Sequence, residues 1–337
     1  MPGKTSLPRR MTSIGSISTA PSAAEFRARL LSAVRQRIIG QEFVIDQMTI
    51  ALVAGGHVLL VGVPGLAKTL MVQSLSSACH LSFARIQFTP DLMPSDIIGT
   101  EILVEDADRR RQFKFQQGPI FHSIILADEI NRTPPKTQAA LLEAMQERKV
   151  TIGGTDYPVP DPFFVLATQN PIEQEGTYPL PEAQLDRFLF SLRVEYPSEA
   201  DEKTILNQES SPQDVAIRPV VSIDEIKKFQ KQAREIVVAD SLVTAVVRMI
   251  RESRPEVSTL AEVRRHVRLG VGTRAGSFLL MAAKARALLD DRPHVTPGDI
   301  RVVAPSVLSH RLIMDFTAEA EGVRPAQLIQ RLIEGVV

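Results

Sequence analysis

The stretch that decides the fold is Val58-Leu-Leu-Val61 followed by Gly62-Val-Pro-Gly-Leu-Ala-Lys-Thr69. Four consecutive apolar residues predict a buried strand, and the apolar spacing after the loop predicts a helix. Gly62 and Gly65 allow tight backbone turns between the two elements. A loop of this kind presents N–H groups to a phosphate at a helix N-terminus, where the helix dipole also favours negative charge. We therefore predict a phosphate-binding loop.

Three side chains of this loop deserve separate interpretation. Lys68 can reach the β- and γ-phosphates of a nucleotide, and Thr69 can ligate Mg²⁺. Ala67 departs from the usual pattern, which has glycine directly before the lysine. We expect the added methyl group to be tolerated only if the backbone there stays near the helical region. The predicted nucleotide-binding residues of the loop are Gly62, Val63, Pro64, Gly65, Leu66, Ala67, Lys68, Thr69 and Leu70.

Polar side chains also end two other apolar runs. Asp128 and Glu129 follow Ile124–Ala127, and Asn170 ends the run that starts at Phe163. Asp128 would hold Mg²⁺ through its waters, and Glu129 would orient and polarise an attacking water. Asn170 could hydrogen-bond the γ-phosphate or that water. These residues extend the phosphate loop into a predicted hydrolytic site.

Short apolar runs alternate with helical stretches up to Pro197, which predicts an α/β fold with a mostly parallel sheet and helices on both faces. We expect residues 1–22, rich in Ser, Thr, Pro and Gly, to be disordered. Residues 23–197 would form the nucleotide-binding domain, and residues 198–337 a helical domain. The five predicted strands are Val58–Val61, Phe83–Phe88, Ile124–Ala127, Phe163–Ala167 and Phe188–Val194.

Helix signals dominate the second half of the chain. Ser222-Ile-Asp-Glu225 is a capping-box pattern that predicts a helix start. Thr273–Leu289 is amphipathic, and Thr296-Pro297 predicts another helix start.

Composition excludes several classes of protein. The 337 residues carry 39 Lys+Arg and 39 Asp+Glu, so the formal net charge is zero. This balance disfavours nonspecific binding to nucleic acid or anionic membranes. The single cysteine, Cys79, excludes an internal disulfide framework or a Cys-rich metal site and suggests a reducing compartment. No apolar run is long enough to span a bilayer, and we expect a cytoplasmic protein.

Taken together, these motifs resemble the MoxR family of AAA+ ATPases over residues 35–335. An alanine at the position of Ala67 is common in that family, so this departure from the usual phosphate-loop pattern fits the resemblance. Further matching segments are Phe88–Gly99, Gly118–Phe121, Ala127–Arg132, Thr168–Pro171 and Leu180–Phe188.

The resemblance implies a P-loop NTPase core with a C-terminal all-α lid, and it assigns roles by position. Lys68 and Thr69 would be the Walker A residues, and Asp128 and Glu129 the Walker B pair. The remaining implied residues are Ile39 and Gly40 against adenine, Asn170 as sensor 1, Arg187 as the arginine finger on a neighbouring subunit's ATP, and Arg274 as sensor 2.

The sensor 2 segment, Gly270-Val-Gly-Thr-Arg-Ala275, departs from the family pattern at Gly272-Thr273. We expect Thr273 to act as a helix N-cap in place of the usual proline.

Two predicted β-hairpins also match the family: one spans Glu101–Phe115 with a charged tip, and the other spans Val150–Tyr157 with a Gly-Gly turn.

The family further implies ATP and Mg²⁺ as cofactors, a hexameric ring of identical subunits, client proteins, and a partner with a von Willebrand factor A domain. Chaperone-like remodelling of clients is the first hypothesis. A nucleic-acid motor is an alternative that the neutral net charge disfavours. A nucleotide-gated scaffold with little hydrolysis is a third, disfavoured because all the hydrolytic residue types are present.

Overall fold

The computed structural model describes residues 21–105, 111–172, 176–209 and 216–335. Two-stranded ribbons and one larger sheet account for its strands. They are β1 (Val58–Val61), β2 (Phe83–Gln87), β3 (Gly99–Glu105), β4 (Arg111–Gln117), β5 (Ile124–Asp128), β6 (Lys149–Ile152), β7 (Thr155–Pro158), β8 (Phe164–Gln169), β9 (Phe190–Arg193), β10 (Val267–Leu269) and β11 (Ile313–Met314).

The central sheet has five strands in the order β2-β5-β8-β1-β9, and every neighbouring pair is parallel. The five apolar runs of the sequence are therefore the five strands of this sheet, as predicted. Its register pairs Gln87 with Asp128 and Val61 with Gln169. The carboxyl ends of β1, β2, β5 and β8 consequently meet at one edge, where ligands bind in open parallel sheets.

Helices flank the sheet and form the C-terminal part of the chain. They are α1 (Ala23–Arg35), α2 (Glu42–Ala54), α3 (Lys68–Ala78), α4 (Pro94–Ile98), α5 (Pro135–Glu147), α6 (Glu182–Leu185), α7 (Glu199–Glu209), α8 (Ile223–Glu235), α9 (Asp240–Glu252), α10 (Ala261–His266), α11 (Thr273–Leu289), α12 (Pro297–Leu308), α13 (Phe316–Ala320) and α14 (Pro325–Glu334). None of these helices in the described ranges is long and apolar enough to cross a membrane.

Successive strand residues enter two different cores. Leu60 and Leu126 belong to one hydrophobic cluster, whereas Leu59 and Ile125 belong to the other. All four are at most 2% exposed. Because alternate residues of a strand point to opposite faces, this division shows that both faces of the sheet are buried, as the continuous apolar runs predict.

The first of these cores continues into the C-terminal helices. The rings of Phe26 on α1 and Phe229 on α8 lie 4.9 Å apart, and the Gln230 amide donates to the carbonyl of Leu52 at 2.8 Å. Helices α2, α8 and α11 contact one another. The helical half therefore packs directly on the N-terminal helices, and the division at residues 197/198 stays a prediction.

Helix caps confirm some sequence signals and correct others. Ser222 begins α8 with a capping box and Thr296 begins α12, as predicted, and Thr296 also forms a capping box. Ser22, the end of the predicted disordered tail, instead caps α1 with Glu25, and residues 1–20 of that tail lie outside the described residues. Thr273 is not an N-cap. Gly272 holds that position and Thr273 is the first helical residue.

Both predicted hairpins are present. β3 and β4 pair antiparallel from Gly99–Gln117 to Glu105–Arg111, and β6 pairs with β7. Gly153 and Gly154 have φ of 57° and 81°, as a two-residue hairpin turn requires. The charged tip of the first hairpin at residues 106–110 lies outside the described residues.

An ionic cluster joins α1 and α2 to α11 and the start of α12. The Asp299 carboxylate, with a fully buried side chain, accepts from Arg286 at 2.6 Å, and from Arg292 at 2.5 and 2.7 Å. It also accepts from the backbone and hydroxyl of Thr296, both at 2.8 Å. We call this set the Asp299 cluster: Arg27, Asp46, Arg286, Asp290, Arg292, Thr296 and Asp299.

Candidate nucleotide-binding site

A cavity of about 420 Å³ opens at the carboxyl edge of the sheet. The phosphate loop and the ends of β5 and β8 form its walls, so tertiary structure brings together motifs that are up to 106 residues apart (64 to 170). The residues that line it are Pro64, Gly65, Leu66, Ala67, Lys68, Thr69, Leu70, Arg85, Asp128, Glu129, Thr168 and Asn170.

The glycines of the loop serve two different purposes. A side chain on Gly62 would place its Cβ 2.7 Å from the carbonyl oxygen of Val194, so Gly62 permits close packing of the loop on β9. Gly65 has φ of 83°, in the left-handed region that glycine enters at little cost. Gly62 and Val63 lie at the base of the loop and are not among the lining residues in the described chain.

Ala67 also adopts the left-handed conformation, with φ of 54° and ψ of 21°. The expectation that its backbone stays near the ordinary helical region is therefore wrong. An L-residue with a Cβ pays roughly 1–2 kcal/mol for this conformation, and Ala67 holds it directly before the first residue of α3. Backbone strain of this kind is often found at ligand sites.

The N-terminus of α3 faces the cavity. Among the residues that the structure describes, no side chain hydrogen-bonds to cap this terminus, so its first N–H groups and its dipole suit an anion. The Lys68 ammonium donates to the carbonyl oxygens of Gly62 and, at 3.0 Å, of Val63. The lysine is thus folded over the loop that would hold the phosphates.

Two carboxylates lie opposite this loop. Asp128 is the last residue of β5, and Glu129 follows it with φ of 57° and ψ of 50°. Between them, the Thr168 hydroxyl donates to Asp128 Oδ1 at 2.6 Å and accepts from the Glu129 backbone N–H at 2.8 Å. Thr168, 1% exposed, therefore fixes the Asp128 carboxylate relative to the backbone of Glu129.

Strand β2 adds two side chains that sequence reasoning missed. Arg85 donates to Asp128 Oδ2 through Nε at 3.0 Å and Nη2 at 2.6 Å. Gln87 donates to Glu129 Oε2 at 3.0 Å, and Arg132 donates to the same oxygen at 3.0 Å. The available signal was the alternation of Arg85 and Gln87 with Ile86 in a run that the sequence analysis interpreted as a buried strand.

Asn170 reaches the cavity from the end of β8. It is 5% exposed, lines the cavity, and its Oδ1 accepts from the backbone of Ile172 at 3.2 Å. Asn170 therefore lines the same cavity as the two carboxylates, and its contact with a phosphate or water stays a prediction.

The donor chemistry fits Mg²⁺. Thr69 and Asp128 both line the cavity and supply a hydroxyl and a carboxylate, the hard oxygen ligands that Mg²⁺ takes together with phosphates and waters in nucleotide sites. Within the described ranges no group of three or more His, Cys, Asp and Glu side chains could hold a metal by itself. The site therefore suits an ion that arrives with a nucleotide.

The predicted adenine contacts lie outside the lining of this cavity. Ile39 is partly buried, and Gly40 has φ of 74°. A side chain on Gly40 would place its Cβ 2.9 Å from the Asp201 carboxylate. The connection between α1 and α2 is thus close to the start of α7, and its role toward adenine stays a prediction.

The two predicted arginines, Arg187 and Arg274, are also outside the cavity lining in the described chain. Arg187 donates to the carbonyl of Leu142 at 2.6 Å. Arg274 lies 3.3 Å from Asp186 Oδ2, and the buried Arg311 binds Asp186 Oδ1 at 2.7 Å. Arg187 therefore lies in the segment between α6 and β9, and Arg274 contacts Asp186 of the same segment.

A larger cavity, of about 680 Å³, lies beside α10 and α14 and contains none of the predicted site residues. Buried titratable groups elsewhere serve packing. The pKa of His57 is lowered to about 3 by burial and by Arg148, and its Nδ1 accepts from the Val165 backbone at 3.0 Å. Burial raises the pKa of the Cys79 thiol, so this cysteine is an inert core residue.

Comparison with known proteins identifies the family. Residues 57–190 match the ATPase family associated with various cellular activities (AAA), and residues 260–332 match the AAA lid domain.

The relatives point the same way. Chaperone MoxR1 of Mycobacterium tuberculosis is 43% identical over 309 residues, which cover 91% of this chain and 81% of that protein. The protein MoxR of Methylorubrum extorquens is 30% identical over 326 residues, covering 92% and 93%. The crystal structure of a candidate ATPase from Cytophaga hutchinsonii has a TM-score of 0.85 and 39% identity, covering 94% of this chain and 96% of that one. The loop, the paired carboxylates and these similarities together show that the chain belongs to the MoxR family of AAA+ ATPases.

Proposed function

We propose that this chain binds ATP with Mg²⁺ in the cavity and hydrolyses it to ADP and phosphate. The observation that carries the proposal is that the phosphate loop, Asp128, Glu129 and Asn170 line one cavity. The family supports ATPase activity as a shared trait, and the geometry supplies residues for each part of the reaction.

Each side chain has a distinct task in this reaction. The amides of the loop and the N-terminus of α3 bind the phosphates, and Lys68 turns from the loop carbonyls to the β- and γ-phosphates. Thr69 and Asp128 would hold Mg²⁺, whose positive charge would offset the negative charge of the phosphates. Glu129 orients the attacking water and Asn170 contacts the water or the γ-phosphate, while Ile39 and Gly40 would pack on adenine.

We further propose that hydrolysis takes place between subunits of a hexameric ring. Arg187 is not among the described residues that line the cavity of its own chain, and it binds Leu142 O, which supports a neighbour's nucleotide as the target for its charge. Arg274, implied as the sensor 2 arginine, contacts Asp186, the residue directly before Arg187. An arginine supplied to a neighbour's nucleotide contributes roughly 10³–10⁵ in rate.

The use of the energy is proposed from the family. A relative named Chaperone MoxR1 supports a chaperone-like role. We propose that this role is the remodelling or maturation of client proteins in the cytoplasm, with a von Willebrand factor A domain protein as a partner. The zero net charge still favours a protein client over a nucleic acid.

Mixing two inactive variants tests the proposal. Glu129→Gln should bind ATP without cleaving it, because the amide cannot polarise water. Arg187→Ala should keep its ATP affinity and lose about 10³ in turnover. Mixed in equal amounts, the two should recover about a quarter of wild-type turnover, because that fraction of interfaces joins an intact Glu129 to an intact Arg187 in a randomly mixed ring.

The control is a chain that carries both substitutions, mixed with Arg187→Ala. It offers no arginine, so no phosphate should be released above background. Full turnover by Arg187→Ala alone would overturn the arginine assignment, and calorimetry that finds no ATP binding to the wild type would overturn the proposed function itself.

A further inference from the structure

Arg85 is the one arginine among the described lining residues of the nucleotide cavity. Its guanidinium binds Asp128 Oδ2 with two N–H groups, Nε at 3.0 Å and Nη2 at 2.6 Å. The parallel register of β2 and β5, which pairs Gln87 with Asp128, brings the two side chains together. The Arg85 guanidinium therefore occupies the carboxylate, Asp128, that we propose as a ligand of Mg²⁺.

Counting acceptor positions shows how far this contact fills Asp128. A carboxylate offers about four lone-pair positions, two on each oxygen. Arg85 takes both positions on Oδ2, and the Thr168 hydroxyl takes one on Oδ1. One position is left, so a hydrated Mg²⁺ cannot use Oδ2 while Arg85 remains there.

Charge and exposure indicate which partner can leave. The Asp128 side chain is 12% exposed and that of Arg85 48%. The buried carboxylate needs a nearby positive charge, whereas the arginine can return to water at small cost. A divalent cation beside Asp128 would also repel the guanidinium.

We propose that Arg85 is an exchangeable counter-cation of Asp128: it neutralises the carboxylate in the resting site and is displaced when Mg²⁺ enters with a nucleotide. This inference rests on the proposed function and assigns Arg85 as a positioning residue of that site. Nucleotide without Mg²⁺ then meets a neutralised carboxylate, whereas nucleotide with Mg²⁺ gains the use of Asp128 Oδ2 only when Arg85 leaves. Arg85 therefore reduces the difference between the nucleotide affinity measured with Mg²⁺ and the affinity measured without it.

Arg132 provides a matched comparison inside the same network. It is 44% exposed, close to the 48% of Arg85, and it also binds a Walker B carboxylate at hydrogen-bonding distance. Its partner is Glu129 rather than Asp128. Exchange with Mg²⁺ should consequently depend on Arg85 and not on Arg132.

The test measures the affinity for a fluorescent ADP derivative twice, in saturating MgCl₂ and in EDTA, and takes the ratio as the magnesium factor. In Arg85→Gln this factor should rise about fivefold, the range of a half-exposed ion pair. The rise has two causes: bare Asp128 repels ADP in EDTA, and no arginine must leave when Mg²⁺ binds. Arg132→Gln should stay within about twofold of the wild type.

The outcomes separate this inference from the proposed function. An equal rise in both variants would mean that any positive charge near the cavity has the effect, and an unchanged factor in Arg85→Gln would mean that Arg85 does not compete with Mg²⁺; either result overturns the inference. Arg85→Lys keeps the charge without the two-pronged contact, so its factor should lie between the wild type and Arg85→Gln, and it serves if Arg85→Gln does not fold. If the wild type binds no ADP at all, the proposed function fails instead.

Discussion

Asp128 and Asp299 are both buried carboxylates bound by arginine, but the networks around them differ in how completely they are closed. Asp299 has a fully buried side chain and two arginines, Arg286 and Arg292, that are 21% and 28% exposed. Among the residues that the structure describes, Asp128 is bound by one arginine, Arg85, that is 48% exposed and borders an open cavity.

The difference teaches what each network can do. In the Asp299 cluster every charge has a partner inside the protein, and removal of one member leaves another buried without compensation, which is costly. At Asp128 the arginine can move into water, so the pair can exchange partners at low cost. The same two residue types thus stabilise the fold in one region and keep a site adjustable in the other.

The largest expected effect is on stability at the closed network. Asp299→Asn should lower the free energy of unfolding by about 3 kcal/mol, because Arg286 and Arg292 lose their shared buried partner. Urea denaturation measures this. Asp128→Asn is the matched control and should cost about 1 kcal/mol or less, since Arg85 stays hydrated. Equal losses in the free energy of unfolding at the two positions would show that the Asp299 and Asp128 networks do not differ in how much they stabilise the fold.

Acid should affect the closed network next. Burial favours the neutral form of Asp299, but hydrogen bonds from Arg292, Thr296 and Arg286 outweigh it and lower the pKa of Asp299 from 3.8 to about 2. A carboxyl whose pKa is lower in the folded state stabilises the protein above its unfolded pKa. This contribution, about 2 kcal/mol, should therefore be present above pH 4 and disappear as the pH falls through 2.

The melting temperature measured from pH 5 to pH 2 tests this expectation. The profile of Asp299→Asn should be flatter than that of the wild type in this range, because the substituted side chain has no proton to bind. Parallel profiles for the two proteins would show that another carboxyl group dominates acid unfolding.

The smallest effect concerns strain beside the open network. Ala67 holds a left-handed conformation, so Ala67→Gly should raise the free energy of unfolding by about 0.5 kcal/mol, the relief of strain minus the added entropy of the unfolded chain. Ala139→Gly, at an exposed helical position in α5, should instead lower it by about 1 kcal/mol. A loss at both positions would show that Ala67 stores no strain.

Much of the site could be predicted because its motifs are local. The loop around Lys68 and the carboxylates after Ile124–Ala127 can be recognised in the sequence, because residues of a characteristic type directly follow an apolar run. Arg85 could not be predicted in the same way, because its partner Asp128 is 43 residues away and a polar residue in a strand does not say which neighbour it faces. The conformation of Ala67 was also misjudged, since its left-handed backbone is imposed by the loop around it.

The sequence by itself determined the five parallel strands, the phosphate loop, the helix starts at Ser222 and Thr296, and the family, because apolar periodicity and short motifs are encoded within a few residues of each other. Only the tertiary structure decided that β2 lies beside β5 and gives Asp128 a cation, that Arg187 and Arg274 are not among the described residues lining the cavity, and that Arg27 of α1 joins the Asp299 cluster through Asp290. These arrangements depend on strand order and on helix packing between segments that are distant in the sequence. The free energy of the whole chain selects such arrangements, and no local sequence pattern specifies them.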